Sequence, residues 1–329
     1  MDTGNSNRAE ECGQLKTYAV GIDLGGTAIK YGISNHEGEI VQEFTRPTQA
    51  TAPAQTILDD LADAARHGLE YAGQHDIPIK AIGLGTPGAV QVDTGFLKGS
   101  TPNLPAWKNV PIRDELMKRL ALPVFVDNDA NMMAYGEYRL GAGQNVPNVV
   151  CVTLGTGIGG GIVVEGKLFR GANDAGSEIG HMSICYNGRP CPCGGIGCWE
   201  RYASATAMIE RYNLLNPEQP VQSTITIFER YHQGEEAAAT VVEEEIQYAA
   251  VGVANVINIF NPQRIIIGGG VSETGDWFVE RIAQAAKGRS MVAAAEGVQI
   301  VRASLGNKAG WLGAAMFALD QLREQIGEV

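Results

Sequence analysis

His181, Cys191, Cys193 and Cys198 follow one another as H-x9-C-x-C-x4-C, which matches a tetrahedral zinc site in ligand number and softness. Four protein ligands would close the shell, so such a metal would brace the chain rather than activate water. Cys185 is a fifth candidate, and spacing does not choose between it and His181. The competing reading is a set of buried or redox-active thiols.

Two glycine turns precede this cluster. The run from Gly155 through Thr156 and Gly157 to Gly160 satisfies G-x-G-x-x-G, but a dinucleotide fingerprint needs a helix next. Ile162, Val163 and Val164 read instead as a strand, which leaves a hairpin whose turn offers backbone N–H groups to an anion. Asp23-Leu24-Gly25-Gly26-Thr27 repeats the form earlier in the chain. One such turn alone is simply a tight turn; a related pair, one in each half, reads as a phosphate cradle. Asp23 adds a hard oxygen suited to Mg2+, held through water.

Asn128 and Asp129 sit where a strand passes into a helix. They are either its capping residues or a chemical pair, with Asp129 taking the proton of an attacking hydroxyl and Asn128 orienting the same substrate. Glu178 stands three residues before His181, so both face one way if that turn is helical. Otherwise Glu178 is a solvated loop residue.

The elements that must position these groups alternate in an α/β pattern. Strands are expected over residues 17–25, 28–34 and 40–45, the first two as a hairpin, followed by an amphipathic helix over 54–73. A strand over 79–84, a loop, a helix over 110–120, a strand over 123–126 and a helix over 129–140 complete a first half. The strand, glycine turn and strand beginning near Val149 restart the pattern. Residues 204–231 are mostly helical, 237–260 form a long helix closed by Asn261-Pro262, 264–267 a strand running into Gly268-Gly269-Gly270, 277–287 a helix, 298–303 a strand and 310–326 a final helix. The halves are expected to meet at a cleft near residues 141–144.

The 329 residues carry 25 Lys and Arg against 37 Asp and Glu, a net charge of -12, which argues against a broad nucleic-acid footprint. Residues 1–16 are polar and read as a disordered tail without a secretory signal. No apolar run is long and unbroken enough for a membrane span. The six cysteines form no disulfide framework and suit a reducing cytoplasm.

Taken together, Asp23–Thr27, Asp127-Asn128-Asp129-Ala130-Asn131, the LGTGIGGG run, Glu178-Ile179-Gly180-His181 and Cys191 through Glu200 resemble the ROK (repressor, open reading frame, kinase) family over residues 18–317. The chain looks most like the family's ATP-dependent glucokinases. The resemblance implies a two-lobed, actin-like (ribonuclease H-type) ATPase fold with a zinc-binding loop: a lobe over 17–140, on which the helix 310–326 packs back, and a second lobe over 141–309. It implies Asp129 as general base for a hexose 6-hydroxyl, with Asn103, Asn128, Glu178, His181 and Glu200 on the sugar. Gly25, Gly26, Thr27, Gly155, Thr156 and Gly157 would cradle the phosphates, and Gly268, Gly269 and Gly270 would lie near the adenosine. ATP, Mg2+ and a structural Zn2+ follow as cofactors, and a homodimer or higher homo-oligomer as the assembly.

Glucose is the default sugar, with N-acetylmannosamine, N-acetylglucosamine, fructose and allose as alternatives to be separated by the loop at residues 101–107. Polyphosphate is an alternative donor. Asp127 replaces the family's frequent glutamate, a change expected to matter little. A transcriptional regulator would carry a winged helix-turn-helix ahead of this fold, where only about sixteen polar residues stand before the first strand. A non-catalytic sugar-binding protein is the third reading.

Overall fold

The apolar start of the chain, broken at Gly25-Gly26, folds into a hairpin of β1 (Tyr18–Leu24) and β2 (Ala28–Asn35), to which β3 (Ile40–Pro47) adds antiparallel. The computed structural model describes residues 16–99 and 103–327. The expected tail, apart from Lys16, lies outside the described residues, as do residues 101 and 102 of the loop expected to select the sugar. Helix α1 (Ala54–Gln74) buries Ile57, Leu58, Leu61 and Ala65, the stripe that 3.6-residue periodicity dictates. It returns the chain to β4 (Ile79–Thr86), parallel to β1.

Three short strands follow, the first two where only a loop was expected and the third at the first two residues of the helix expected over 110–120. β5 (Ala89–Gln91), β6 (Phe96–Lys98) and β7 (Val110–Pro111) pair as a small antiparallel sheet. Strands of two or three residues carry too little alternation to be read in advance. Helix α2 (Ile112–Leu120) and β8 (Val124–Asn128) come next, and β8 lies parallel to β4. The first sheet has the order β3-β2-β1-β4-β8.

Helix α3 (Asp129–Leu140) leads to the second sheet. Here β9 (Val149–Leu154) and β10 (Ile158–Val164) form the hairpin and β11 (Lys167–Leu168) the edge. After the cysteine-rich loop come α4 (Glu200–Ala203), α5 (Ala205–Leu215), α6 (Thr224–His232) and the long α7 (Glu236–Phe260). Then β12 (Arg264–Gly268), α8 (Asp276–Arg289), α9 (Val292–Ala295), β13 (Gln299–Arg302) and α10 (Ala309–Ile326) complete the chain. The order β11-β10-β9-β12-β13 repeats that of the first sheet, with the same strand senses. The repeat read from the two glycine turns is therefore a repeat of topology.

Helices α3 and α10 lie between the sheets. Met132, Ala134, Ala314 and Ala318 share one buried cluster with Ala19, Ala81 and Phe125 of the first sheet and Cys151, Val163 and Ile266 of the second. Small residues permit the close approach: a Cβ on Gly313 would overlap the Met132 carbonyl oxygen, and one on Gly83 would overlap that of Ala314. Buried Glu137 of α3 ties these parts together, accepting from the N–H groups of Ser304 at 3.0 Å, Leu305 at 2.8 Å and Ala142 at 2.9 Å. Among the described residues no helix is long and apolar enough to cross a membrane.

Candidate active site

The carboxyl ends of β1, β8, β9 and β12 converge on one cleft, the end of an α/β sheet at which ligands are bound. Its larger part, about 960 Å³, is walled by Asp23, Lys30, Thr153, Gly268, Gly269 and Gly270. A second recess of about 320 Å³ is walled by Asp23, Asp129, Gly155, Thr156, Gly157 and Glu200. Asp23, Met133, Thr153 and Gly310 border both, so the two are continuous. Residues 141–144, near which the cleft was expected, line neither part. They are the connection between the sheets, held where Arg264 Nη1 donates to the Ala142 carbonyl at 2.5 Å, and the cleft follows the strand ends instead.

Asp23 borders both parts, and Asp129 walls the smaller one. Burial, with the Asp129 charge adding to it and Lys30 opposing, pushes the Asp23 carboxyl up to about 7. Burial also lifts Asp129, to about 6, against the Ala130 N–H that stabilises its charge and with help from Glu178. A buried carboxylate tuned upward is suited to accept a proton near neutral pH.

Asn128 is a true helix cap. Its Oδ1 accepts from the N–H groups of Ala130 at 2.9 Å and Asn131 at 3.2 Å, and its Nδ2 donates to the Gly88 carbonyl at 3.2 Å. The capping alternative is thus realised, with one amide hydrogen left over for another partner.

The turn of β1 and β2 is closed by Gly25 N–H donating to the Ala28 carbonyl at 3.0 Å, and Thr48 Oγ1 donates to the Gly25 carbonyl at 2.8 Å. Gly25, Gly26 and Thr27 do not wall the cleft. Gly26 packs beside Asn103 instead, whose Cβ lies 3.1 Å from where a Cβ on Gly26 would be. Across the cleft, Gly155 N–H donates to the Gly157 carbonyl at 3.0 Å, and β10 follows directly, as the strand reading of that motif required.

Glu178 and His181 flank a 3-10 turn, Ile179–His181, which sits on β10 where Gly180 meets Ile158 and Ile179 meets Gly160. The Glu178 carboxyl keeps an open edge to solvent. Even so, the protein around it raises its pKa, and Glu200 raises it further.

His181, Cys191, Cys193 and Cys198 present their ligand atoms within 4.8 Å of one another. Cys193 and Cys198 Sγ are 3.6 Å apart, and Cys191 Sγ is 3.7 Å from His181 Nδ1. Ligands at Zn–S distances of about 2.3 Å in a tetrahedron stand about 3.8 Å apart, so the set fits a metal of that size. Cys185 is exposed and is not part of this group. The cluster touches the cleft through Glu200, whose Oε1 accepts from Cys191 Sγ at 3.2 Å.

Four cleft residues, Lys30, Thr153, Arg302 and Gly310, were not singled out from the sequence. Lys30 and Arg302 are the cations among the lining residues; Arg302 is paired with Asp276 at 2.6 Å, whereas Lys30 meets the Asn307 amide at 3.1 Å. The signal that could have found Lys30 is a single charge inside an otherwise apolar strand. Thr153 and Gly310 have no such mark: a Cβ on Gly310 would lie 2.6 Å from Asp23 Oδ2, a contact made only when α10 folds back from the far end of the chain.

Comparison with known proteins agrees with this geometry. The model of the ROK family matches residues 19–321. A glucokinase of Halalkalibacterium halodurans is 36% identical over 92% of this chain and 95% of its own. A xylose repressor of Caldicellulosiruptor bescii is 32% identical over 92% of this chain and 78% of its own. The crystal structure of a ROK family glucokinase from Streptomyces griseus in complex with glucose and AMPPNP superimposes with a TM-score of 0.79 at 34% identity, over 92% of this chain and 99% of that one. The chain belongs to the ROK family.

Proposed function

We propose that this protein is an ATP-dependent glucokinase that moves the γ-phosphoryl group of ATP to the 6-hydroxyl of glucose. The observation that carries the reading is the continuous cleft with Asp23 at its junction: a long cavity for a nucleotide on one side, and on the other a recess for a sugar walled by the carboxylates of Asp23, Asp129 and Glu200. Phosphoryl transfer asks the protein for positioning and charge neutralisation more than for covalent chemistry.

Asp129 takes the proton of the 6-hydroxyl, and its raised pKa suits that task near neutral pH. Asn103, Asn128, Glu178, His181 and Glu200 hydrogen-bond the remaining hydroxyls. The turn at 155–157, which walls the cleft, serves the phosphates, and the glycines at 268–270 leave room for the adenosine. Asp23 would hold Mg2+, which neutralises phosphate charge when bound. His181, Cys191, Cys193 and Cys198 would hold Zn2+, which when bound would brace the turn that presents Glu178 and His181. The matching strand orders support two actin-like lobes, residues 17–140 with α10 and residues 141–309, that close over the substrates in the cytoplasm as a homodimer or higher homo-oligomer.

A coupled assay of ADP release over a hexose panel, with identification of the sugar phosphate, tests the reading. Glucose is expected to give the highest kcat/KM. Preference for another hexose would reassign the substrate, polyphosphate use without ATP use would reassign the donor, and no sugar phosphate from any hexose would end the kinase reading.

A further inference from the structure

Asp127 is the most buried carboxylate of the catalytic turn, and its side chain is only 2% exposed. Its two oxygens have separate duties. Oδ1 accepts from the Asn128 backbone N–H at 2.6 Å and from Asn131 Nδ2 at 3.0 Å, so it holds the turn that carries Asn128 and Asp129. Oδ2 accepts from Arg170 Nε at 2.8 Å and Nη2 at 2.7 Å.

Arg170 belongs to the other sheet's side of the molecule, two residues beyond β11. Its guanidinium lies over the Phe317 ring of α10, 5.3 Å from the centroid. Its carbonyl accepts from Gly176 N–H at 2.8 Å, Ser177 Oγ donates to the Phe169 carbonyl at 2.8 Å, and Ile179 N–H donates to the Ser177 carbonyl at 2.8 Å. Residues 169–179 are thereby closed on themselves, and Arg170 moves with the turn that bears Glu178 and His181.

We propose that Asp127 and Arg170 are positioning residues that lock the catalytic turn to the sugar-facing turn, so that a sugar seated by Glu178 and His181 fixes Asp129 for proton transfer. A charge-assisted, desolvated pair of this kind carries geometry as well as energy. With a shorter side chain than glutamate, Asp127 reaches both the Asn128 N–H and Arg170 without spare length. Neither residue touches the reacting atoms; both act through Asp129 and Glu178. The inference rests on the kinase reading.

The test compares wild type with Asp127→Asn, Arg170→Gln, Arg170→Lys and the double variant, by initial rates with glucose and ATP varied separately. Loss of the pair is expected to lower kcat and raise KM for glucose, together on the order of tenfold to a hundredfold in kcat/KM, with KM for ATP unchanged. Arg170→Lys should recover part of the loss. The double variant should lose no more than the worse single one, because the two act as a unit.

A purely structural prop would lower the thermal transition and leave the split between glucose and ATP unmoved, and that result overturns the proposal. So does a parallel rise in both KM values. If the Asn and Gln variants do not fold, Arg170→Lys decides alone: wild-type kinetics overturn the proposal, and a partial glucose-specific loss supports it. A wild type that turns over normally beside unaffected variants sinks this inference only. A wild type without any sugar phosphate sinks the kinase reading and this inference with it.

Discussion

The thiol of Cys191 donates to Oε1 of Glu200 across 3.2 Å, and the other carboxylate oxygen of Glu200 lies 2.7 Å from where a Cβ on Gly157 would be. One side chain therefore links the cysteine cluster to the glycine turn of the cleft. The candidate metal cluster and the glycine turn of the cleft share a single carboxylate.

Removing the metal should be felt at the sugar before the nucleotide. Cys193 is exposed, so Cys193→Ser or chelation is expected to loosen the cluster without filling the cleft. We expect KM for glucose to rise on the order of ten- to a hundredfold, and KM for ATP to rise less, in rate measurements paired with zinc analysis. Equal losses would mean that the metal only supports the fold.

Asp129→Asn keeps the shape of the catalytic turn and removes the base. We expect kcat to fall by roughly 10²–10⁴, with glucose binding retained. In the wild type the group must be ionised to accept a proton, so kcat/KM should rise with pH through about 6. The sign is fixed: below that value the carboxyl already carries its proton. Glu178→Gln removes a charge that raises Asp129, and should move the acidic limb downward. An unmoved limb would separate Asp129 from the titration.

Gly157→Ala places a methyl group against the Glu200 carboxylate. The end of a flexible side chain can move aside, so the fold should survive with its thermal transition unchanged. Glucose affinity should fall roughly tenfold from displacement of that one group, as read by titration calorimetry. Unchanged affinity would remove Glu200 from the sugar site.

Gly313→Ala tests the packing beneath the cleft. Its Cβ would overlap the Met132 carbonyl oxygen, which is backbone and cannot rotate away. Overpacking of this kind costs about 1–3 kcal/mol and occasionally more, and α3 and α10 must separate to relieve it. Urea unfolding should show a lower midpoint, whereas a wild-type midpoint would contradict the observed approach of the helices.

Much of this molecule was legible because its chemistry is local. The hairpins at β1–β2 and β9–β10 follow from apolar runs broken by glycine, and the strand after Gly160 was enough to set aside a dinucleotide fold. The thiols of Cys191, Cys193 and Cys198 lie within eight residues, so their spacing alone nearly defines a ligand set. The cap at Asn128 likewise needs only its neighbours.

Where two distant segments meet, the chain gave no such sign. His181 rather than Cys185 joins the thiols because the 3-10 turn on β10 carries its ring to Cys191, a matter of how Gly180 packs on Ile158. Lys30 meets Asn307, and Gly310 makes space beside Asp23, only after the far end of the chain returns to the first sheet. Asp127 meets Arg170 across the gap between sheets. Residue types and short spacings determined the turns, the candidate ligands and the candidate base; long-range packing decided which of them share a cleft, because backbone approach through glycine and burial of charge depend on neighbours that sequence order does not place together.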